Sequence, residues 1–328
     1  MMNVDLPPWV DAINRDDRNA QNNNAGNGGD LVKHTVYLAL LDELLRREPW
    51  RTEIRLRECH AGCGVYLTTP DNAWLIMCLS RFGRETTLGG AQDDGLFALG
   101  LRNDRPGSLY AGSAVLNLRA LSGCRQARAE FYEQKPATRE VLKGVLRESI
   151  TEQPEITISV PGAKGRSFDG EVRIADKIAG WDERDVVLLD PFAMWSQSKD
   201  QRRRDLYRGI LDGALERGCP LSLFFTWGNA NPRADADMNG SSDGPRNGYV
   251  EMLDWLGTAG ASVVVVRWVW KLRFAMWLVL PNSAPQGHEL RDALAARLRR
   301  ELNELDRFAK SAPLMRKYPE TLVQVLEV

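Results

Sequence analysis

Hydrophobic residues change their spacing several times along the chain, and each change marks an element. Residues 1–30 are polar, rich in Asn and Gly around NAQNNNAGNGGD, and hold too little apolar surface to order themselves without a ligand or a neighbour. They are expected to form a flexible arm. From Leu31, LVKHTVYLALLDELLRR brings apolar residues back at helical spacing, with Asp30 at the expected N-cap position. TEIRLREC then alternates as a strand does and runs into HAGCGVY, a turn of small residues. Between residues 67 and 109, DNAWLIMCLSRF and DDGLFALGLR have helical stretches separated by glycines, which predicts an inserted helical subdomain.

The remainder alternates. AGSAVLNLRAL reads as helix, RQARAEF as a short strand, ATREVLKGVLRES as helix and VVLLD as a buried strand. QRRRDLYRGILDGALERG and NGYVEMLDWLGTAG are helical, with LSLFFTW a buried strand between them, and SVVVVRWVWK and RFAMWLVLPN form a tight hairpin. HELRDALAARLRRELNELDRFAK returns to helical spacing, so residues 286–328 are assigned a C-terminal helical segment. Strands alternating with helices predict an α/β domain over 31–66 and 110–285, its mostly parallel sheet covered on both faces and closed by an antiparallel hairpin.

Composition narrows this picture. With 328 residues, 43% of them hydrophobic, the chain can bury a sizeable core, and a formal net charge of −1 asks for no polyanionic partner. The five cysteines, Cys59, Cys63, Cys78, Cys124 and Cys219, are odd in number and lack paired CxxC spacing, which argues against a disulfide framework and a zinc site, so no metal is expected. No leader pattern and no run of about eighteen apolar residues occurs, which predicts a cytoplasmic protein without a membrane partner.

Candidate chemistry begins at the strand that enters HAGCGVY, because a glycine turn after a strand is how open α/β sheets begin a nucleotide site. Gly62 and Gly64 let a backbone approach a ligand closely. The second focus is VVLLDPFAMW, an apolar strand running into Asp190 and Pro191. Four stretches in order, NAGNGGDLVKHTVYLALLDELL, LRECHAGCGVY, LYAGSAVL and VVLLDPF, resemble the ribosomal RNA large subunit methyltransferase J family, over roughly Asn24 to Leu280. The resemblance implies a class I methyltransferase (Rossmann-like) fold, S-adenosylmethionine as cofactor and an exocyclic adenine amino group of ribosomal RNA as acceptor. Carried over position by position, it implies cofactor contacts from Lys33, His34, His60, Ser113, Glu130, Asp169, Gly170 and Asp190. Glu130, taken at a strand end beside the glycine turn, would accept from both ribose hydroxyls, and Asp169 would take the adenine amino group of the cofactor. Lys33, His34 and His60 would hold the methionine carboxylate or pack on the ligand.

In Asp-Pro-Pro-Tyr enzymes the Asp side chain and the Pro carbonyl accept hydrogen bonds from the target amine, and the Tyr stacks on the flipped base. Here Asp190 and Pro191 remain as catalytic candidates, while Phe192 and Ala193 replace the last two letters; Phe192 or Trp195 would supply an aromatic face. Asn24 stands where the family has a histidine, and no aromatic residue occurs between Trp9 and Tyr37. Arg202 and Arg203, within KDQRRRDLYR, are candidates for phosphate contact, and residues 228–248 read as a lid or loop. Both departures fall on the acceptor side, which leaves two alternatives open: a small-molecule or peptide acceptor, or a non-catalytic protein of the same fold that binds cofactor or RNA.

Overall fold

The run Asp185–Leu189 is buried at every position, as a strand between two covered faces must be. The computed structural model that shows this describes residues 28–68, 87–98, 109–150, 153, 155–162, 169–190, 201–229, 255–259, 261–269, 272–282, 287–311 and 320–327. In chain order its elements are α1 (Gly28–Leu45), β1 (Glu53–Cys59), β2 (Val65–Leu67), α2 (Thr87–Ala98), β3 (Leu109–Ala111), α3 (Ser113–Leu121), β4 (Gln126–Tyr132), α4 (Pro136–Ser149), β5 (Ile156–Ser159), α5 (Gly170–Lys177), β6 (Asp185–Leu189), α6 (Gln201–Glu216), β7 (Leu221–Asn229), β8 (Ala261–Val269), β9 (Leu272–Pro281), α7 (Gly287–Ser311) and β10 (Glu320–Glu327).

Eight strands form one sheet in the order β10-β8-β9-β7-β6-β1-β4-β5. From β5 to β7 all neighbours are parallel. β9 runs antiparallel to both β7 and β8, which closes the sheet with the expected hairpin. This is the class I methyltransferase architecture, an α/β fold with a mostly parallel sheet.

The pleat divides the core into two layers. Ile54 and Leu56 of β1, Val186 and Leu188 of β6, and Val264 and Val266 of β8 pack with α1, α3, α4 and α7. Cys59, Val187, Leu189, Val263 and Val265 point the other way, against α5 and α6. Each large apolar side chain buried this way contributes about 1.5–3 kcal/mol. No described helix is long and apolar enough to cross a membrane.

Two local expectations change. α1 starts at Gly28, so Asp30 lies inside the first turn rather than at the N-cap; its carboxylate there suits the positive end of the helix and pairs with Lys33 at 3.2 Å. The C-terminal segment does not remain helical after α7: β10 adds antiparallel to β8 over eight paired residues, because β8 otherwise presents an unpaired backbone edge. β5 and α5 are further elements that sequence spacing alone did not assign.

The insert between 67 and 109 is clamped at its ends, where β2 pairs with β3, and Leu88 and Leu96 of α2 join the main core. Gln92 fixes α2 to this ribbon, its side-chain amide donating to the Ala111 carbonyl and its carbonyl accepting from the Ala111 N–H. The DNAWLIMCLSRF stretch lies outside the described residues, as does nearly all of the N-terminal arm.

Candidate functional site

β1 ends in the middle of the sheet, next to β6, and both strands deliver polar residues at their C-terminal ends. Glu58 is level with Leu188, and Asp190 follows two residues later, so both belong to the α1 side of the pleat. Lys33, on the first turns of α1, donates to Asp190 Oδ2 at 2.7 Å, and its ammonium lies 5.6 Å from the centroid of the Phe224 ring. Burial works to lower the Lys33 pKa, but the Asp190 and Asp30 carboxylates outweigh it and hold the ammonium above its ordinary value. The structure thus joins two of the residues singled out in sequence, 157 positions apart.

Glu58, which the sequence reading passed over, is the central acid of this side. Only 2% exposed, it accepts from Asn117 Nδ2 at 2.7 Å and from the Ser113 hydroxyl through a short hydrogen bond. Burial pushes its pKa up to about 7 against the opposing pull of Ser113, Asn117 and Lys33. Ser113, one of the cofactor candidates, donates its hydroxyl to this carboxylate. A signal existed: in EIRLREC the apolar positions are Ile54 and Leu56, and Glu58 continues their face.

The turn after β1 has positive φ at His60 (65°), Gly62 (66°) and Gly64 (82°). The missing Cβ atoms serve the chain itself, however. A Cβ on Gly62 would lie 1.8 Å from the Tyr66 hydroxyl, and one on Gly64 would lie 3.0 Å from Val145. The Gly62 N–H donates to Glu133 Oε2 at 3.1 Å.

The acid singled out on β4 is Glu130. Glu130 lies within the strand, not at its end, and its carboxylate is engaged by Lys177 at 2.7 Å, Tyr132 at 2.7 Å and Arg57 at 3.4 Å. Burial raises the Glu130 pKa but Lys177, Tyr132 and Arg57 prevail and lower it. Glu133, immediately past the strand, is the buried acid beside the glycine turn. β4 ends at Tyr132, one residue past RQARAEF, so Glu130 lies two residues inside the strand and Glu133 follows it.

On the opposite side of the sheet a cleft is lined by Cys59, His60, Tyr132, Gln134, Asp169, Gly170 and Glu171. Asp169 caps α5, accepting from the backbone N–H groups of Glu171 and Val172 at 3.1 and 3.2 Å. Gly170 is required by close packing, since a Cβ there would come within 2.5 Å of Tyr132 Cβ. His60 Nε2 lies 3.2 Å from Glu171, which also accepts a short hydrogen bond from the Tyr207 hydroxyl. Burial disfavours a charged His60, but Cys59 and Glu171 outweigh it and hold its pKa well above the ordinary value.

His34 does not join either group of side chains. It is buried, stacked on Tyr110 with ring centroids 5.4 Å apart and hydrogen-bonded to that hydroxyl. Burial, then the Lys33 charge, depress its pKa, so it packs as a neutral ring between α1 and β3. Arg202 is exposed on the first turn of α6. The Arg203 side chain, Pro191, Phe192, Trp195 and nearly all of the 228–248 loop lie outside the described residues.

No family model matches the sequence, and no curated protein does. Among solved structures, the chain is similar to protein LPL1258 of Legionella pneumophila, described by family-model DUF519, with a TM-score of 0.59 and 14% identity over 92% of this chain and 98% of that one. Magnesium protoporphyrin IX methyltransferase of Synechocystis PCC 6803, with bound SAH, has a TM-score of 0.36 and 8% identity over 76% of this chain and 84% of its own. Precorrin-6y C5,15-methyltransferase of Geobacter metallireducens has a TM-score of 0.34 and 9% identity, covering 74% and 86%. At 14% identity the first similarity is one of fold alone, and the two weaker ones add nothing to it.

Proposed function

We propose that this protein is an S-adenosylmethionine-dependent methyltransferase acting on an exocyclic amino group of a nucleobase, with an adenine of ribosomal RNA as the acceptor. The observation that carries the reading is the meeting of Asp190 and Lys33 at the C-terminal ends of β6 and β1, beside the strained turn of Gly62 and Gly64. In open α/β sheets ligands bind outside the carboxyl ends of the strands.

The residues present suit the cofactor. Glu133 offers a buried carboxylate at the turn, suited to ribose hydroxyls, while His60, Asp169 and Gly170 line the cleft on the adenine side. Lys33 supplies a fixed positive charge for a carboxylate. An S-adenosylmethionine bound here would supply a methyl group already activated by its sulfonium, so the protein's task is chiefly to position the acceptor and exclude water. Asp190 presents a carboxylate that can take a hydrogen bond from an acceptor N–H and so return the amine lone pair from the ring. Lys33, bonded to one carboxylate oxygen, fixes its orientation. By sequence position the Pro191 carbonyl is the second acceptor, Phe192 and Trp195 the aromatic candidates, and Arg202 and Arg203 the phosphate contacts.

The test supplies labelled S-adenosylmethionine and ribosomal RNA from cells lacking its methylation. Label should enter the RNA with the wild type. Asp190→Ala and Asp190→Asn should both abolish transfer while cofactor affinity, read by calorimetry, stays close to wild type. Label confined to low-mass or protein fractions, or full turnover by both variants, would overturn the assignment.

A further inference from the structure

The cleft on the α5 side, where His60 is also a cofactor candidate, holds two further donors, Cys59 and Glu171, that the methyl-transfer reading leaves without a role. Cys59 Sγ, a His60 imidazole nitrogen and a Glu171 carboxylate oxygen all lie within 4.8 Å of one another. They arrive from two distant parts of the chain: Cys59 ends β1, His60 follows it, and Glu171 is the second residue of α5. Linear spacing gives no sign of the group, which is why the cysteine pattern argued against zinc.

Two observations set the cluster apart from an ordinary ion pair. His60 is the one non-glycine residue with positive φ among those described, a conformation that costs energy and aims its ring into this corner. Its Nε2 faces Glu171 at 3.2 Å, and the Cys59 side chain is its other polar neighbour. Glu171 Oε1, the oxygen that faces His60, also accepts from the Tyr207 hydroxyl, a contact that fixes the carboxylate in place.

We propose that Cys59, His60 and Glu171 form a binding site for a divalent cation of the zinc type. Sulfur, nitrogen and oxygen together suit zinc, which accepts all three, whereas magnesium and calcium call for oxygen alone. Zinc–ligand bonds of about 2.0–2.3 Å place tetrahedral donors roughly 3.5 Å apart, so side-chain rotation of about an ångström closes the set. Three protein donors leave a fourth position, which opens towards the cleft bordered by Gln134 and Asp169. That is the pattern of a site that takes a further ligand, not of a closed structural one.

Cobalt(II) is the direct probe. Protein stripped with chelator and titrated with cobalt should bind about one equivalent and show visible bands of tetrahedral intensity with a sulfur-to-cobalt charge-transfer band, both erased by added zinc. Cys59→Ser should lose the charge-transfer band, whereas Cys63→Ser, a buried thiol outside the cluster, should keep it. His60→Gln, at a side chain 32% exposed, should weaken binding without unfolding the protein, and Tyr207→Phe should do so by about tenfold. Absence of a one-to-one tetrahedral spectrum, or its persistence in folded Cys59→Ser and His60→Gln, overturns the site. The readout needs neither cofactor nor turnover, so its failure and the failure of the methyl-transfer reading are separately visible.

Discussion

Glu58 carries the most information of any single side chain in the site. Its folded pKa, about 7, is raised above the 4.5 of a free glutamate, so the native state holds this proton more tightly than the unfolded chain. The associated stability is complete below pH 4.5 and is lost as pH rises through 7, a change on the order of 3 kcal/mol. Thermal melts at pH 5 and pH 8 should therefore show the wild type losing more stability than Glu58→Gln. Parallel losses in the two proteins would mean that Glu58 is not the titrating group. Much of this corner was legible in sequence, since Lys33 and Asp190, singled out separately, meet directly. Glu58 was legible only by position: the alternation of Ile54 and Leu56 places it on the dry face, where a charge is rarely counted.

Among the elements, α5 carries two of the candidate positions, and both have structural roles of their own. Asp169 and Gly170 lie at the cleft, one capping the helix and the other admitting Tyr132. Asp169→Ala should cost about 0.5–2 kcal/mol in urea unfolding, with Asp169→Asn retaining most of that stability. Gly170→Ala should cost about 1–3 kcal/mol, since a strand-borne Cβ, unlike a flexible side-chain tip, cannot swing aside. Equal stability of the alanine and asparagine variants at 169 would remove the capping role. On β4 the family resemblance points to Glu130, two residues inside the strand, while Glu133 lies at the turn.

The molecule as a whole follows from its pattern more completely than its site does. Alternating strands and helices with a late hairpin specify the sheet and its covered faces, because hydrophobic periodicity directly reports burial. What periodicity misses is long-range pairing, and β10 is the example: an eight-residue strand after a long helix acquires meaning only beside β8. A chain ending after Ser311 should expose the β8 edge and associate, detectable as a larger mass in size-exclusion chromatography with light scattering. A strictly monomeric, equally stable truncation would show that β10 protects nothing.

The pleat of β1 has one more consequence. Leu56 and Glu58 serve one layer, Arg57 and Cys59 the other, so two chemically unlike chambers share a single ribbon of backbone and are kept apart only by odd and even parity. Point substitutions can retune either chamber while sparing its neighbour. Inserting one codon just before Glu58 would exchange their occupants, turning the acid towards Glu171 and the thiol towards Lys33. Descendants of this chain can therefore drift in composition here, but not in length by a single residue.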